Sequence, residues 1–116
     1  MFVLDLHLLN KWYDMIEAGI KPEEYREDKD YWRARLLLPN GEYKPYTHVR
    51  FHRGYSKRNM LFRIQSMSFG RGNPAWGAPP YNVHVIRLGA RTDANGTEYV
   101  TIGESRGWLY HEILML

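Results

Sequence analysis

A short, highly charged segment directly after a glycine constrains the fold of this chain more than any other feature. The segment reads G-I-K-P-E-E-Y-R-E at residues 19–27 and carries five charges in its last seven residues. If residues 22–27 form an extended strand, side chains alternate between its faces, so that Glu24 and Arg26 share one face and Lys21 lies beside them. These three charges could form a polar pocket. The alternative is a surface strand with ordinary ion pairs, each worth about 0–1 kcal/mol.

Length and composition predict one globular domain. The 116 residues suffice for one hydrophobic core and are too few for two, and 44% hydrophobic with 25% charged residues is a normal balance. The absence of cysteine excludes disulfides, thiolate catalysis and cysteine-based zinc sites. No apolar run approaches the roughly 18 residues of a membrane span, and residues 1–7 lack the basic start of a signal peptide. We therefore expect a cytoplasmic protein without a membrane partner.

The charges are distributed unevenly along the chain. Nine of the 13 acidic residues lie in the first 42 residues, and none lies between Glu42 and Asp93. That acid-free interval contains nine cations: Lys44, Arg50, Arg53, Lys57, Arg58, Arg63, Arg71, Arg87 and Arg91. If the fold keeps these cations on one face, the asymmetry predicts an anionic partner, most often a nucleic acid. If the fold interleaves the acidic and basic halves, no basic face remains.

The order of apolar patterns and turn signals predicts an α+β fold. Residues 2–8 indicate a strand, and residues 11–18 indicate a helix that Asn10 caps and the following glycine ends. A second short helix is predicted over residues 30–37, with Asp30 as its cap. Further strands are predicted at residues 47–53, 60–69, 81–91 and, after a hairpin turn, 97–102, and the segment 108–116 fits either a strand or a helix. Short strands joined by turns, with two short helices near the start, indicate a small mixed β-barrel.

The segment between the two central strands is the clearest loop of the chain. Residues 70–80 hold three of the ten glycines and three of the six prolines. Trp76 lies in this loop and either packs on the core or faces a ligand, since loops often carry binding sites.

Several kinds of chemistry are excluded by the side chains present. His48 and His52 are four residues apart, which in a strand separates them by about 13 Å, so we predict no metal and no cofactor. No serine lies in a nucleophile elbow, and no phosphate-binding fingerprint exists. Lys21 is a candidate base, because burial and the neighbouring Arg26 would lower its pKa. Glu24 would raise that pKa, and the sequence does not rank the two effects.

The charged segment resembles the signature of a known family. Its spacing, G-x-K-x-x-E-x-R after a helix that carries a tryptophan, is similar to that of ASCH domains, a branch of the PUA-like superfamily. Further features within residues 2–89 resemble the small bacterial and phage members of this family: Tyr31-Trp32 with Arg35, Arg53-Gly54-Tyr55, Trp76-Gly77 and the strand end at residues 85–89. The resemblance implies a single PUA-like domain with two or three short flanking helices. Its core would span about residues 2–91, with residues 92–116 as an extra hairpin or C-terminal extension.

The resemblance also implies a binding cleft beside the signature strand. Relatives in the superfamily bind RNA or modified nucleobases, and recognition of single-stranded RNA requires cations for the phosphates and aromatic planes for the bases. We therefore predict that this chain binds RNA or a modified nucleoside or nucleotide in that cleft. The predicted binding residues are Lys21, Glu24, Arg26, Arg53, Tyr55, Lys57, Arg58, Arg71 and Trp76.

Two alternatives to this binding function remain open: hydrolysis of a modified nucleoside or of RNA, and binding of a protein. One ASCH branch is similar to an amidohydrolase of N4-acetylcytidine, in which a threonine nucleophile stands at the position of Glu24. Here Glu24 would instead activate a water, and Lys21 or Arg26 would stabilise the oxyanion, which makes Lys21 and Glu24 the candidate catalytic residues. Another member resembles a ribonuclease that uses a tyrosine and a lysine, and Tyr55 and Lys57 are present in this chain. The third hypothesis is a protein-interaction module that presents its basic face to an acidic protein.

Overall fold

The computed structural model of this chain describes residues 1–101 and 108–110. This part of the chain forms seven strands, two α-helices and one 3-10 turn. In chain order they are β1 (Val3–Leu8), α1 (Asn10–Glu17), β2 (Glu23–Arg26), α2 (Asp30–Leu36), β3 (His48–Arg53), β4 (Asn59–Gly70), the 3-10 turn (Pro74–Trp76), β5 (Val83–Thr92), β6 (Tyr99–Thr101) and β7 (Trp108–Tyr110).

Five of the strands form one mixed sheet in the order β1-β3-β4-β5-β2. β1 runs parallel to β3, and every other neighbouring pair is antiparallel. The sheet curls into a half-barrel whose edges are β1 and β2, and the two α-helices flank it. The predicted α+β class is therefore confirmed, and the sheet has two edge strands.

One face of β1 shows how the sheet acquires its core. Leu4, Leu6 and Leu8 are buried, while Asp5 and His7 between them are exposed, as the alternation of a strand requires. The leucines belong to a core cluster that also contains Tyr13, Ile16, Leu36, Val49, Phe51, Met60, Phe62 and Ile86. Burying each such side chain contributes about 1.5–3 kcal/mol, so packing of both helices on this face stabilises the curled sheet.

Gly19 ends α1 and turns the chain into the charged segment, as predicted. Its φ of 78° lies in the left-handed region, which glycine adopts without a steric penalty. The Gly19 N–H donates to the carbonyl of Ile16 at 3.0 Å, and the Ile20 N–H donates to that of Met15 at 2.9 Å. This pair of bonds is the Schellman arrangement of a helix end. It places Lys21 at the entrance of β2.

The predicted caps at the helix starts are wrong by one residue. α1 begins at Asn10 with Leu9 as its N-cap, and α2 begins at Asp30 with Lys29 as its N-cap. Neither cap residue makes a side-chain hydrogen bond to the helix. Both helices therefore form without a side-chain cap at their first turn.

The predicted hairpin after β5 forms, but its return strand does not extend the main sheet. The Asp93 N–H donates to the Thr97 carbonyl at 2.8 Å, and Thr92 pairs with Glu98. β6 then pairs with β7 in a separate two-stranded sheet. The predicted antiparallel return along β5 is therefore present at the Thr92–Glu98 pair, and beyond that pair the described residues of β6 pair with β7 instead of β5. Residue 102 and residues 111–116 of the last predicted segment lie outside the described residues.

The loop between β4 and β5 folds back onto β2. Trp76 packs against a second core cluster, which contains Tyr25, Ala78, Val83 and Val85. The Tyr25 hydroxyl donates to Glu23 Oε1 at 2.8 Å and accepts from the Asn73 N–H at 3.1 Å. Burial raises the pKa of Tyr25 to about 12, which keeps this hydroxyl protonated. Of the two alternatives for Trp76, the structure therefore shows packing on the core.

A polar network connects the start of α2 to β5. Asp28 accepts two hydrogen bonds from Arg33, from Nε at 2.6 Å and from a terminal nitrogen at 2.7 Å. It is also 3.0 Å from Nε2 of the buried His84, whose Nδ1 is 2.7 Å from the Tyr43 hydroxyl. The hydrogen bonds from Arg33 and then from His84 hold the pKa of Asp28 well below its usual range.

The close approach of the loop to β2 predicts that Gly72→Ala destabilises the protein. A Cβ atom at Gly72 would lie 2.5 Å from Cε1 of Tyr25 and 2.6 Å from the Cβ of Ala78. We expect the free energy of unfolding to fall by about 1–3 kcal/mol in urea denaturation. Gly70→Ala is the matched control, because a Cβ there meets no atom within 4 Å, and its effect should stay within about 0.5 kcal/mol.

The depressed pKa of Asp28 predicts a loss of stability in acid. The unfolded chain binds a proton at Asp28 near pH 4, whereas the folded chain does so only at much lower pH. The stabilisation is therefore complete above about pH 4 and is lost as the pH falls below that value. We expect Asp28→Asn to be less stable than wild type at neutral pH, with a difference that shrinks between about pH 5 and pH 2 in urea titrations. A constant difference across that range would contradict this assignment.

Candidate functional site

The two edges of the half-barrel border a cleft of about 390 Å³. Strand β1, strand β2 and helix α2 all contribute to its walls. The lining residues are Asp5, Leu6, His7, Arg26, Tyr31, Trp32 and Arg35. The predicted cleft beside the signature strand therefore exists as a geometric feature, and Arg26 is the predicted site residue that lines it.

Two arginine side chains occupy the free edge of β1. A terminal nitrogen of Arg26 donates to the His7 carbonyl at 3.2 Å, and a terminal nitrogen of Arg35 is 3.4 Å from the Asp5 carbonyl. These carbonyls point away from β3, where another strand would otherwise provide N–H donors. The guanidinium groups thus take the place of strand pairing and leave space for a cleft between β1 and β2.

Behind the cleft, Lys21, Glu24 and Arg26 form a buried ionic cluster, as their spacing predicts. Lys21 is 2% exposed and Glu24 is 6% exposed. Glu24 Oε1 lies 3.3 Å from Lys21 Nζ, and Glu24 Oε2 lies 2.6 Å from a terminal nitrogen of Arg26. The Lys21 ammonium also donates to the carbonyl of Trp76. One carboxylate therefore bridges two cations, and the cluster carries one net positive charge.

The structure ranks the opposing effects on the pKa of Lys21. Burial lowers this pKa, and it outweighs Glu24, which raises it. The ammonium also lies 4.6 Å from the ring centre of Tyr25 and 5.3 Å from that of Trp12. Neither Lys21 nor Glu24 lines the cleft. Both act on it through Arg26, which Glu24 holds in position.

The aromatic side of the cleft comes from α2. The guanidinium carbon of Arg26 is 4.6 Å from the Trp32 ring centre, a cation–π distance. Tyr31 meets Trp32 edge to face at 4.9 Å and remains 62% exposed. Arg35 lies 5.6 Å from the Tyr31 ring centre. Cations and aromatic rings therefore alternate along this wall.

Arg35 is the least compensated charge of the cleft. Within the described residues it has no carboxylate within ion-pair distance, and its two hydrogen bonds, to the Asp5 carbonyl and the Tyr31 hydroxyl, are both 3.4 Å long. Its buried Nε and that of Arg26 have no hydrogen-bond partner in this part of the chain. An anion that binds next to a partly buried guanidinium with such weak partners stabilises its charge.

Four of the nine cations in the acid-free interval are paired with acidic residues from the first 42 residues of the chain. Arg53 forms two hydrogen bonds to Asp14 of α1, both at 2.9 Å, and Arg58 pairs with Glu17 at 2.5 Å. Arg50 and Arg87 also have acidic partners from the first 42 residues, at 3.8 Å and 2.8 Å. For these four arginines the structure shows the interleaved alternative, and Arg53 and Arg58 lie away from the cleft lining.

The remaining predicted residues lie outside the cleft lining. Tyr55 is 98% exposed, and its ring centre is 5.5 Å from that of His7, so it lies at the rim. Lys57 and Arg71 are exposed and form no ion pair with the described residues. Trp76 packs on the second core cluster and contributes its carbonyl to Lys21.

Sequence reasoning missed part of the cleft as a binding surface. It did not assign binding roles to His7, Tyr31, Trp32 and Arg35, although the last three belong to the family resemblance. Spacing could have found two of them, since residues four apart, such as Tyr31 and Arg35, share one face of a helix. No local signal places His7 there, because its position depends on the curl of the sheet.

Comparisons of the chain with models of protein families, with curated proteins and with solved structures find no match. Among the described residues, no helix is long and apolar enough to cross a membrane. That same part of the chain contains no group of three side chains suited to hold a metal ion. The cleft is therefore interpreted from its own geometry and charge.

The buried ionic cluster predicts unequal effects of its two inner members on stability. Glu24→Gln leaves the buried Lys21 and the partly buried Arg26 without this carboxylate, and we expect a loss of about 3–5 kcal/mol in the free energy of unfolding. Lys21→Met keeps the pair of Glu24 and Arg26 and removes a costly buried charge, so it should lose less than half as much. Urea denaturation of both variants measures the difference. Equal losses would mean that Glu24 does not bridge the two cations.

Proposed function

We propose that this chain binds single-stranded RNA or a modified nucleoside or nucleotide in the cleft between β1 and β2. The observation that carries the proposal is Arg35, a cleft-lining guanidinium without a carboxylate partner among the described residues. A phosphate oxygen, or a carbonyl oxygen of a nucleobase, would accept the charge-assisted hydrogen bonds that Arg35 can donate.

The charge balance around the cleft supports an anionic ligand. Glu24 neutralises only one of the two cations that it contacts, so the buried cluster keeps one positive charge beside Arg35. The carboxylate of Asp5 is engaged on β3, where it lies 2.8 Å from Nε2 of His52. The ligand thus meets two arginines held by the protein, which lowers the entropic cost of binding.

The aromatic residues support a ligand with a planar ring. Tyr31 offers an exposed ring next to Arg35, and the adjacent Trp32 ring contacts Arg26. Stacking of a base on an aromatic side chain contributes about 1–3 kcal/mol. At the rim, the exposed ring of Tyr55 and the Lys57 ammonium, which has no ion pair within residues 1–101 and 108–110, provide contacts for a second nucleotide of the same strand.

The same features support membership of the PUA-like superfamily, which we also propose. The curled mixed sheet, the two flanking helices and the G-x-K-x-x-E-x-R segment on an edge strand next to a cleft are the arrangement that the ASCH resemblance implies. Binding is favoured over hydrolysis at this site. Both oxygens of Glu24 are occupied by cations, and neither Glu24 nor Lys21 lines the cleft.

Direct binding measurements test the proposal. The ligands are nucleoside monophosphates and a labelled RNA of about 8 nucleotides, measured at low salt by calorimetry and fluorescence anisotropy. We expect Arg35→Gln to weaken RNA binding about tenfold or more, because a hydrogen bond to a charged group contributes about 1.5–3 kcal/mol. The slope of log affinity against log salt should become shallower by about 0.7 for the lost phosphate contact.

Arg63→Gln is the matched control. It removes the same charge from an exposed arginine on β4 that pairs with Glu98 and does not line the cleft. Its affinity should stay within about twofold of wild type. The proposal is wrong if wild type binds none of these ligands at low salt, or if Arg35→Gln and Arg63→Gln weaken binding equally. In that case an acidic protein partner becomes the better hypothesis.

A further inference from the structure

A second cavity of about 310 Å³ contains a different set of polar side chains. Its lining residues are Asp28, Arg33, Leu37, Gly41, Tyr43, Phe69 and His84. None of them lines the cleft between β1 and β2. The network of Asp28, His84 and Tyr43 therefore has access to a cavity of its own.

The hydrogen bonds assign the protons of this network. Asp28 accepts two bonds from Arg33 and is ionised, so it can only accept from His84 at 3.0 Å. His84 Nε2 therefore carries a proton. In the neutral imidazole, Nδ1 is then an acceptor, and the Tyr43 hydroxyl donates to it at 2.7 Å. Burial raises the pKa of Tyr43, which keeps the resting hydroxyl protonated.

The chain of hydrogen bonds from Tyr43 through His84 to Asp28 has the arrangement that an activated nucleophile requires. A hydroxyl donates to an imidazole, and a carboxylate on the opposite ring nitrogen fixes the tautomer and would stabilise the imidazolium. The elements that hold the three residues are well defined. His84 lies on β5 between its partners Arg26 and Phe69, and Tyr43 follows a tight turn that pairs it with Leu37.

The cavity also contains a group that can stabilise a developing negative charge. Arg33 binds Asp28 through Nε and one terminal nitrogen. Its other terminal nitrogen is 3.8 Å from Asp30, beyond hydrogen-bond distance. Asp28 and Arg33 cancel in formal charge, and Leu37 and Phe69 give the walls an apolar character. These features fit a small uncharged substrate with a polarisable carbonyl.

We propose that Tyr43 is a nucleophile, with His84 as its base and Asp28 orienting that base, and that the second cavity accepts a small uncharged carboxylic ester. The Tyr43 oxygen attacks the carbonyl carbon, and its proton passes to His84 Nδ1. Arg33 stabilises the carbonyl oxygen as it becomes negative. The bond to the leaving alcohol or phenol breaks, and the leaving oxygen takes the proton from His84. Water then attacks the acyl-tyrosine by the same route, which releases a carboxylic acid and restores Tyr43.

The test uses p-nitrophenyl acetate and the wild-type protein. Release of p-nitrophenolate is followed by absorbance, and mass spectrometry of proteolytic peptides locates acetyl groups. Tyr81 is the internal reference, because it is exposed and lines neither cavity. We expect Tyr43 to react at least about 100-fold faster than Tyr81, the typical contribution of a positioned base. This comparison requires no variant and does not depend on whether His84 variants fold.

Two substitutions complete the test. Tyr43→Phe should abolish the fast release, whereas Tyr46→Phe, which also removes one part-buried hydrogen bond of a tyrosine hydroxyl, should leave it unchanged. If water removes the acetyl group quickly, no adduct accumulates, and the fast phase becomes a steady release that Tyr43→Phe abolishes. Reaction of Tyr81 as fast as Tyr43, or no release that depends on Tyr43, overturns the proposal.

Discussion

The carboxylate of Glu24 is the interaction on which the rest of the structure depends. It lies between Lys21, at the exit from α1, and Arg26, at the end of β2. Lys21 in turn binds the carbonyl of Trp76, and Arg26 binds the carbonyl of His7. One acidic side chain therefore connects the helix end, both edges of the half-barrel and the long loop. Because a buried charge is costly without partners, all four parts have to be in place together.

Local signals in the sequence predicted the elements of this fold well. The short β-compatible segment at residues 2–8 located β1, and the glycine at position 19 located the end of α1. Neighbouring residues determine such features. The spacing of Lys21, Glu24 and Arg26 likewise predicted their contact, since both strand alternation and the helix end are local. The errors at the helix caps arose because tertiary packing overrides the preference of one side chain.

The sequence could not predict which charges would remain unpaired. Arg53 and Arg58 belong to an acid-free interval, yet α1 provides Asp14 and Glu17 as their partners across about 40 residues of chain. Arg35 follows an acidic stretch, yet it has no carboxylate within ion-pair distance among the described residues. Pairing over such distances depends on how the sheet curls. The contacts of His84 with Asp28 and Tyr43 were not predicted for the same reason, since they too join residues that are far apart in the sequence.

The guanidinium contacts along the edge of β1 also have a mechanical consequence. Within the described residues no ladder of backbone hydrogen bonds joins β1 to β2, and side chains of Arg26 on β2 and Arg35 on α2 contact the β1 carbonyls instead. The distance between β1 and β2 can therefore change without breaking any backbone pairing between strands. A molecule that binds both Arg26 and Arg35 would link the two edges of the half-barrel. Occupancy of the cleft would then raise the thermal stability of the whole domain.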